Sequence, residues 1–287
     1  MGRAVTRNAT RRTGYFSSPV RHLQMFDAVR SVYGRQPGDR VAALPSATEP
    51  HSIDMAFVGH VGTVVRMPNG RHVRRDILPG SGGVHGELEV DFVEVEGPSE
   101  YIELAPTRVM REDAAAEFRA PAMVDLDELP GIRDEVLWSA ACVFRANACG
   151  TYALSEIEAE EITRQLVAHF ACTYFGGLRP RTNDRRLDAH RLRTLRDMIE
   201  SQLAGSLTLS ALAHSVYLSP YHFSRSLKAT LGLTPSQYVQ SIRMQRALRG
   251  LLEGQSVAAA AASVGYGSTH TFRRTFRRFI GVRPSAI

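Results

Sequence analysis

The chain has 287 residues, with 35 Lys+Arg against 29 Asp+Glu, 44% apolar residues and three cysteines. This is length for one large or two ordinary domains; the apolar share excludes a disordered chain, and no window approaches the roughly 20 apolar residues that cross a bilayer. The net charge of +6 is unevenly shared, since residues 1–180 carry 19 basic and 24 acidic side chains and residues 181–287 carry 16 and 5. Such a basic C-terminal part points to an anionic polymer as partner. Lys228 is the only lysine, so the positive charge is guanidinium, which forks onto phosphates and guanine edges. An arginine-rich proteome accounts for the Arg/Lys ratio but not for the asymmetry.

In chain order, residues 1–24 read as a polar, flexible N-terminus without the continuous apolar stretch of a secretory signal. Cys142, Cys149 and Cys172 form neither a disulfide framework nor the close pairs of a zinc site, which fits a reducing cytoplasm. Short strands are expected from about 53 to 104: Met55 to Val58, Gly62 to Arg66, His72 to Leu78, and Val84 to Val95, where apolar and acidic residues alternate. Pro68-Asn69-Gly70 and the run Pro79 to Gly83 mark turns, and a small β sandwich or barrel follows. Helices are expected at Arg108 to Phe118, Asp134 to Ala148 and Ser155 to Tyr174, the last opened by a Ser cap and acidic residues. Ile162, Leu166, Phe170 and Tyr174 recur along one stripe of it. The pair over 134–174 either covers the sheet or dimerises with its copy in a second chain. Residues 25–178 thus make one domain, 179–189 a linker, and 190–287 an all-α domain, giving an α+β fold class.

The C-terminal domain contains an internal repeat. Leu209, Leu212, Ala213, Val216 and Leu218 correspond to Val257, Ala260, Ala261, Val264 and Tyr266, and after one extra residue Phe223, Arg225, Leu227, Gly232 and Pro235 correspond to Phe272, Arg274, Phe276, Gly281 and Pro284. Each copy, about 207–232 and 256–281, reads as a short helix, a tight turn and a second helix with a divided surface, the layout of a helix-turn-helix. Phe223, Leu227 and Leu231 form one buried stripe, opposite Tyr221, Ser224, Arg225 and Lys228. Phe272, Phe276 and Ile280 form the other, opposite Thr269, His270, Arg273, Arg274 and Arg277. Gln237 to Glu253 makes a spacer helix of about 25 Å, long enough to hold two such helices in major-groove segments about 34 Å apart.

These residues resemble the AraC/XylS family of transcription regulators over about 190–287. The resemblance is carried by the stretch Leu218 to Arg225, by Gly232 to Ser236, by Arg243 to Ala247, by Val264-Gly265-Tyr266, by Phe272 and by Gly281 to Ser285. It implies base reading by Tyr221, Ser224 and Arg225 in the first unit and by Thr269, His270, Arg273 and Arg274 in the second. Ser219, His222 and Lys228, with Ser268 and Arg277, complete the expected DNA-binding set. The resemblance further implies bipartite contact with double-stranded promoter DNA, most often activation through RNA polymerase, and an N-terminal cupin-like domain that senses a small-molecule effector. Two departures, the alanine run Ala258 to Ala262 and an end at Ile287 where the family commonly continues, lead us to expect a weaker second unit.

An alternative is a cupin-type enzyme or small-molecule binding protein fused to a DNA-localising domain. His51, His60, His72 and His85 lack the His-x-His pair of a cupin metal site, and only His85 and Glu87 have a suggestive spacing. The turn Pro79 to Gly83 lacks the Lys-Ser/Thr of a phosphate loop. Ser17, Ser18 and Ser46 sit in no nucleophile elbow, and no cysteine has the Pro-Cys-His setting of the alkyltransferases fused to some domains of this type. No catalytic residue, metal or cofactor is expected.

Overall fold

The computed structural model describes residues 20–36, 50–66, 70–86, 92–94, 98–178 and 186–287. Alternating apolar residues build a six-stranded antiparallel sheet from β1 (Val20–Met25), β2 (Val29–Gln36), β3 (Ser52–Val58), β6 (Gly82–His85), β8 (Ser99–Pro106) and β9 (Leu129–Ile132), in the order β1-β2-β8-β3-β6-β9. A second sheet has β4 (His60–Arg66) between β5 (His72–Ile77) and β7 (Phe92–Glu94). The N-terminal part is therefore a β domain of two sheets. Two expectations are corrected. Val20 to Gln24, assigned to a flexible terminus, belong to β1, which pairs along its length with β2. The strand expected over Val84 to Val95 is not one strand: it ends at His85, and β7 lies in the other sheet. Residues 1–19 and most of the expected linker, 179–185, lie outside the described residues.

The period of two gives the main sheet two different faces. Ile53, Met55 and Phe57 of β3, Ile102 and Leu104 of β8 and Tyr33 of β2 form a buried apolar face. Asp54 pairs across with Glu103 on the opposite face, which also carries Tyr101 and His85. His85 Nε2 lies 3.1 Å from Asp54 Oδ1, and Arg30 Nη2 lies 3.7 Å from Glu103 Oε1. Burial, with Asp54 adding to it and His85, Arg30 and Arg21 opposing it, pushes the Glu103 carboxyl up to about 7. Burial alone would lower His85, but the hydrogen bond and charge of Asp54, with Glu103, hold it above its ordinary value. Both groups bind protons more tightly folded than unfolded, so their stabilising contributions are present at low pH and lost as pH rises. Unfolding free energy is expected to fall as pH rises from the ordinary glutamate value of 4.5 through about 7, and Glu103→Gln to flatten that fall. Equal slopes for parent and variant in urea titrations would remove the assignment.

α1 (Arg108–Phe118) is capped by Thr107, and a short 3-10 turn follows it. α2 (Glu135–Ala148) starts where Asp134 Oδ1 accepts the N–H groups of Val136 and Leu137, each at 2.9 Å. The other Asp134 oxygen accepts the Tyr174 hydroxyl at 2.9 Å and lies 2.6 Å from His169 Nε2, so one carboxylate caps α2 and ties down α3 (Glu156–Thr173). Ser155 and Glu158 close a capping box at the start of α3. Its expected stripe is present, with Leu166 and Phe170 fully buried and Ile162 and Tyr174 packed beside them.

The described C-terminal part is helical: α4 (Ala189–Ser201), α5 (Leu209–Ser215), α6 (Pro220–Leu231), α7 (Pro235–Leu252), α8 (Val257–Ser263) and α9 (Thr269–Ile280). The sequence left open whether the 134–174 pair covers the sheet or meets a second chain. α2 packs on β2, β3 and β8 on one side and on α4 and α6 on the other, and is buried nearly all round. α2 therefore covers the sheet, and the outer side of α3, with Ile157 79% exposed, stays open. No helix among the described residues is long and apolar enough to cross a membrane.

Candidate nucleic-acid interface

The two repeated units are assembled by the same local rules. In the first, Thr208 caps α5 and Ser219 caps α6, with Pro220 at a position where a missing N–H costs nothing. Gly232 then closes α6 in the left-handed region at φ 69°, returning its N–H to Lys228. In the second, Ser256 caps α8, Ser268 caps α9, and Gly281 closes α9 at φ 87° with its N–H on Arg277. α5 and α8 have 7 residues each, α6 and α9 have 12 each. The extra residue of the second copy lies in the turn, where Gly265 at φ 80° matches Tyr217 at φ 58°. A tyrosine in that region costs about 1 kcal/mol, so the first unit carries strain that the second avoids.

Both second helices are divided as the spacing requires. Phe223 and Leu227 are fully buried and Leu231 nearly so, while Tyr221, His222, Arg225 and Lys228 are exposed and Ser224 is half-buried. On α9, Phe272 and Phe276 are fully buried, and Thr269, His270, Arg273, Arg274 and Arg277 are exposed. The Ser219 and Ser268 hydroxyls are engaged as caps, accepting from His222 and Thr271 N–H at 3.3 and 3.4 Å. Ser224 Oγ donates to the Pro220 carbonyl at 2.9 Å. Arg225 Nη1 donates to the Tyr221 hydroxyl at 2.7 Å, and its guanidinium lies 5.5 Å from that ring's centre. This contact orients Arg225 along the helix face while using one of its five N–H donors.

Sequence reasoning passed over two exposed cations. Arg278 stands beside Arg277 in the last turn of α9, where a positive charge also suits the helix dipole. Arg246 is exposed on α7, a helix that had been given only a spacer's role. The charge count contained both; the phase of each helix against its neighbours placed them. Of the cysteines, Cys142 has its thiol pushed up to about 12 by burial, which favours the protonated form.

The interface is fixed to the β domain through α2. Arg145 Nε donates to Glu100 Oε1 of β8 at 2.7 Å, and Arg145 Nη1 donates to the Phe279 carbonyl of α9 at 3.0 Å. Tyr33 donates its hydroxyl to the same Glu100 oxygen at 2.8 Å. At the other end of α2, Glu135 accepts from Arg196 of α4 and from the Tyr238 hydroxyl of α7, the latter at 2.6 Å.

A family model described as a helix-turn-helix domain matches residues 212–287. The HTH-type transcriptional regulator Rv1931c of Mycobacterium tuberculosis is 38% identical over 81 residues, 28% of this chain and 31% of that protein. A putative AraC-like transcription regulator of Streptomyces antibioticus is 37% identical over 82 residues, 28% of this chain and 27% of that protein. Among solved structures, a DNA-binding transcriptional dual regulator from Escherichia coli K-12 is 28% identical over 37% of this chain and 91% of that one, with a TM-score of 0.31. The matched segment spans about a third or less of these two curated relatives. The C-terminal domain of this chain is a helix-turn-helix domain of the AraC type.

Proposed function

We propose that the whole chain is a sequence-specific transcription regulator that lays α6 and α9 into successive major-groove segments of promoter DNA and answers to a small-molecule effector. The observation that carries this reading is the repeat itself, two helices each with a buried apolar stripe and an exposed cationic face. In this reading 25–178 is a cupin-like effector and assembly domain, 179–189 a linker and 190–287 the DNA-binding domain. Arg225 and Arg274 fork onto guanines, Lys228 and Arg277 hold phosphates, and Tyr221, His222, Ser224, Thr269, His270 and Arg273 line the groove. RNA polymerase is the further partner if the regulator activates, and the outer face of α3 is where two copies would meet.

A titration of labelled duplex across salt tests the physics. If the five groove-face cations Arg225, Lys228, Arg273, Arg274 and Arg277 each displace a counterion, affinity falls about 500-fold between 50 and 200 mM salt. A flat response would sink the DNA reading. Arg274→Ala is expected to cost about 1–3 kcal/mol on the best site and to relax preference at one base pair. An unchanged preference after selection from randomised duplexes removes that residue from the base-reading set.

A further inference from the structure

α5 and α8 end in the same turn. The N–H groups of Tyr217 and Leu218 donate to the carbonyls of His214 and Ala213, each at 3.0 Å, and those of Gly265 and Tyr266 donate likewise to Ala262 and Ala261 at 3.0 Å. The residue after the cap of such a turn is held in the left-handed region, where glycine is the ordinary occupant. The second unit follows that rule for two reasons: φ is 80°, and a Cβ at Gly265 would stand 2.9 and 3.0 Å from the carbonyl oxygens of Leu203 and Ala204. The first unit places a tyrosine there, at φ 58°. Its neighbours Val216 and Leu218 are buried and half-buried, but Tyr217 is 89% exposed. Its side chain makes no hydrogen bond or ring contact among the described residues. The fold therefore carries backbone strain for a ring that packs on nothing, and strain kept without a packing return points to a role outside the fold.

We propose that Tyr217 is a DNA-contacting residue of the first unit, its phenol hydroxyl donating to a backbone phosphate oxygen at the edge of the groove that α6 enters. The inference rests on the regulatory reading above and adds to it a contact outside the expected DNA-binding set. Position supports it. The turn leads directly into the Ser219 cap of α6, four residues before Tyr221, which is itself 63% exposed. In a helix-turn-helix the first helix crosses the DNA backbone and the start of the second enters the groove, so the turn between them lies beside the sugar-phosphate chain. Charge supports it as well: the sequence has no Asp or Glu between Glu200 and Glu253, so no carboxylate of this unit opposes a phosphate there. A neutral hydroxyl displaces no counterion and reads no base, so the contact adds affinity to every duplex alike. The second unit, with glycine at this place, has no counterpart, and the two units grip DNA unequally.

The full chain and its Tyr217→Gly, Tyr217→Asn and Tyr217→Phe variants are titrated with two probes, a duplex that the parent enriches from a randomised pool and the unselected pool itself. Glycine and asparagine both suit the left-handed region, so these two variants are expected to unfold in urea at a midpoint no lower than the parent's. Their affinity is expected to fall about tenfold on both probes, the lower end for a hydrogen bond to a charged group. Tyr217→Phe keeps the ring and loses the donor, and should fall nearly as far. The slope of log affinity against log salt should stay the parent's, because no cation has been removed. Affinity within about twofold of the parent's in Tyr217→Gly and Tyr217→Asn, less than such a hydrogen bond supplies, overturns the contact. A loss confined to the selected duplex overturns it too, since a phosphate contact cannot prefer one sequence. Parent-like binding by Tyr217→Phe overturns the hydrogen bond, and a lowered midpoint in Tyr217→Gly overturns the premise that the ring serves no packing. Transcription that falls while duplex affinity holds assigns the side chain to a protein partner instead. A parent that binds neither probe overturns the regulatory reading, and this contact with it.

Discussion

Replacing Arg145 with Met is expected to destabilise the chain by about 3–5 kcal/mol, because it breaks a buried ion pair from one side. Arg145 is 4% exposed and Glu100 is fully buried, so the variant leaves a carboxylate in the core with its cation removed. It also frees the Phe279 carbonyl, which Arg145 hydrogen-bonds from α2 to α9, and removes a guanidinium that lies 4.8 Å from the centre of the Phe57 ring. The two losses separate in the double variant Arg145→Met with Glu100→Leu. Exchanging a buried pair for apolar side chains is often neutral, so stability should largely return while the link to α9 stays broken. Urea unfolding followed by Trp138 emission measures the first effect, and amide exchange in the last turn of α9 measures the second. A single variant within 1 kcal/mol of the parent would show that Glu100 does not depend on Arg145.

Phe276→Ala is expected to cost about 3–5 kcal/mol and to unfold the second helix-turn-helix unit ahead of the rest. Phe276 is fully buried, with its ring 5.4 Å from that of Phe272. The second unit packs in its own cluster, around Met244, Leu248, Ala260, Ala261, Val264 and Val58 of the sheet, apart from the large core that holds Phe223 and Leu227. Where the supporting helix offers only Ala260 and Ala261 to the interior, the two phenylalanines supply most of the volume, and little remains to collapse into the space. The first unit shares the main core and should persist. Loss of exchange protection in α9 with protection kept in α6, and duplex binding reduced to that of one unit, is the expected result. Simultaneous loss in both units would mean that the two clusters fold as one.

The C-terminal units were legible in the sequence because their constraints are local. A Ser cap, an apolar stripe at spacing four and a terminal Gly fix α6 and α9 within 12 residues each, with Pro220 added at the start of α6, and the repeat stated the pattern twice. The β domain was less legible. β1 pairs with β2 through residues that include exposed Leu23 and Met25, so its alternation did not mark a core, and its strand character comes from its neighbour. The His85, Asp54 and Glu103 group was invisible for a related reason, since strands far apart in the chain bring these residues together by register.

The sequence by itself determined the two cationic faces, the helices that carry them and the charge division between the halves, because capping, helical period and composition act over a few residues. Only the tertiary structure decided what α2 is for. Its periodicity fitted a dimer helix as well as a sheet cover. That it covers the sheet depended on Glu100 and Phe279, residues 45 and 134 positions from Arg145, both arriving at one guanidinium.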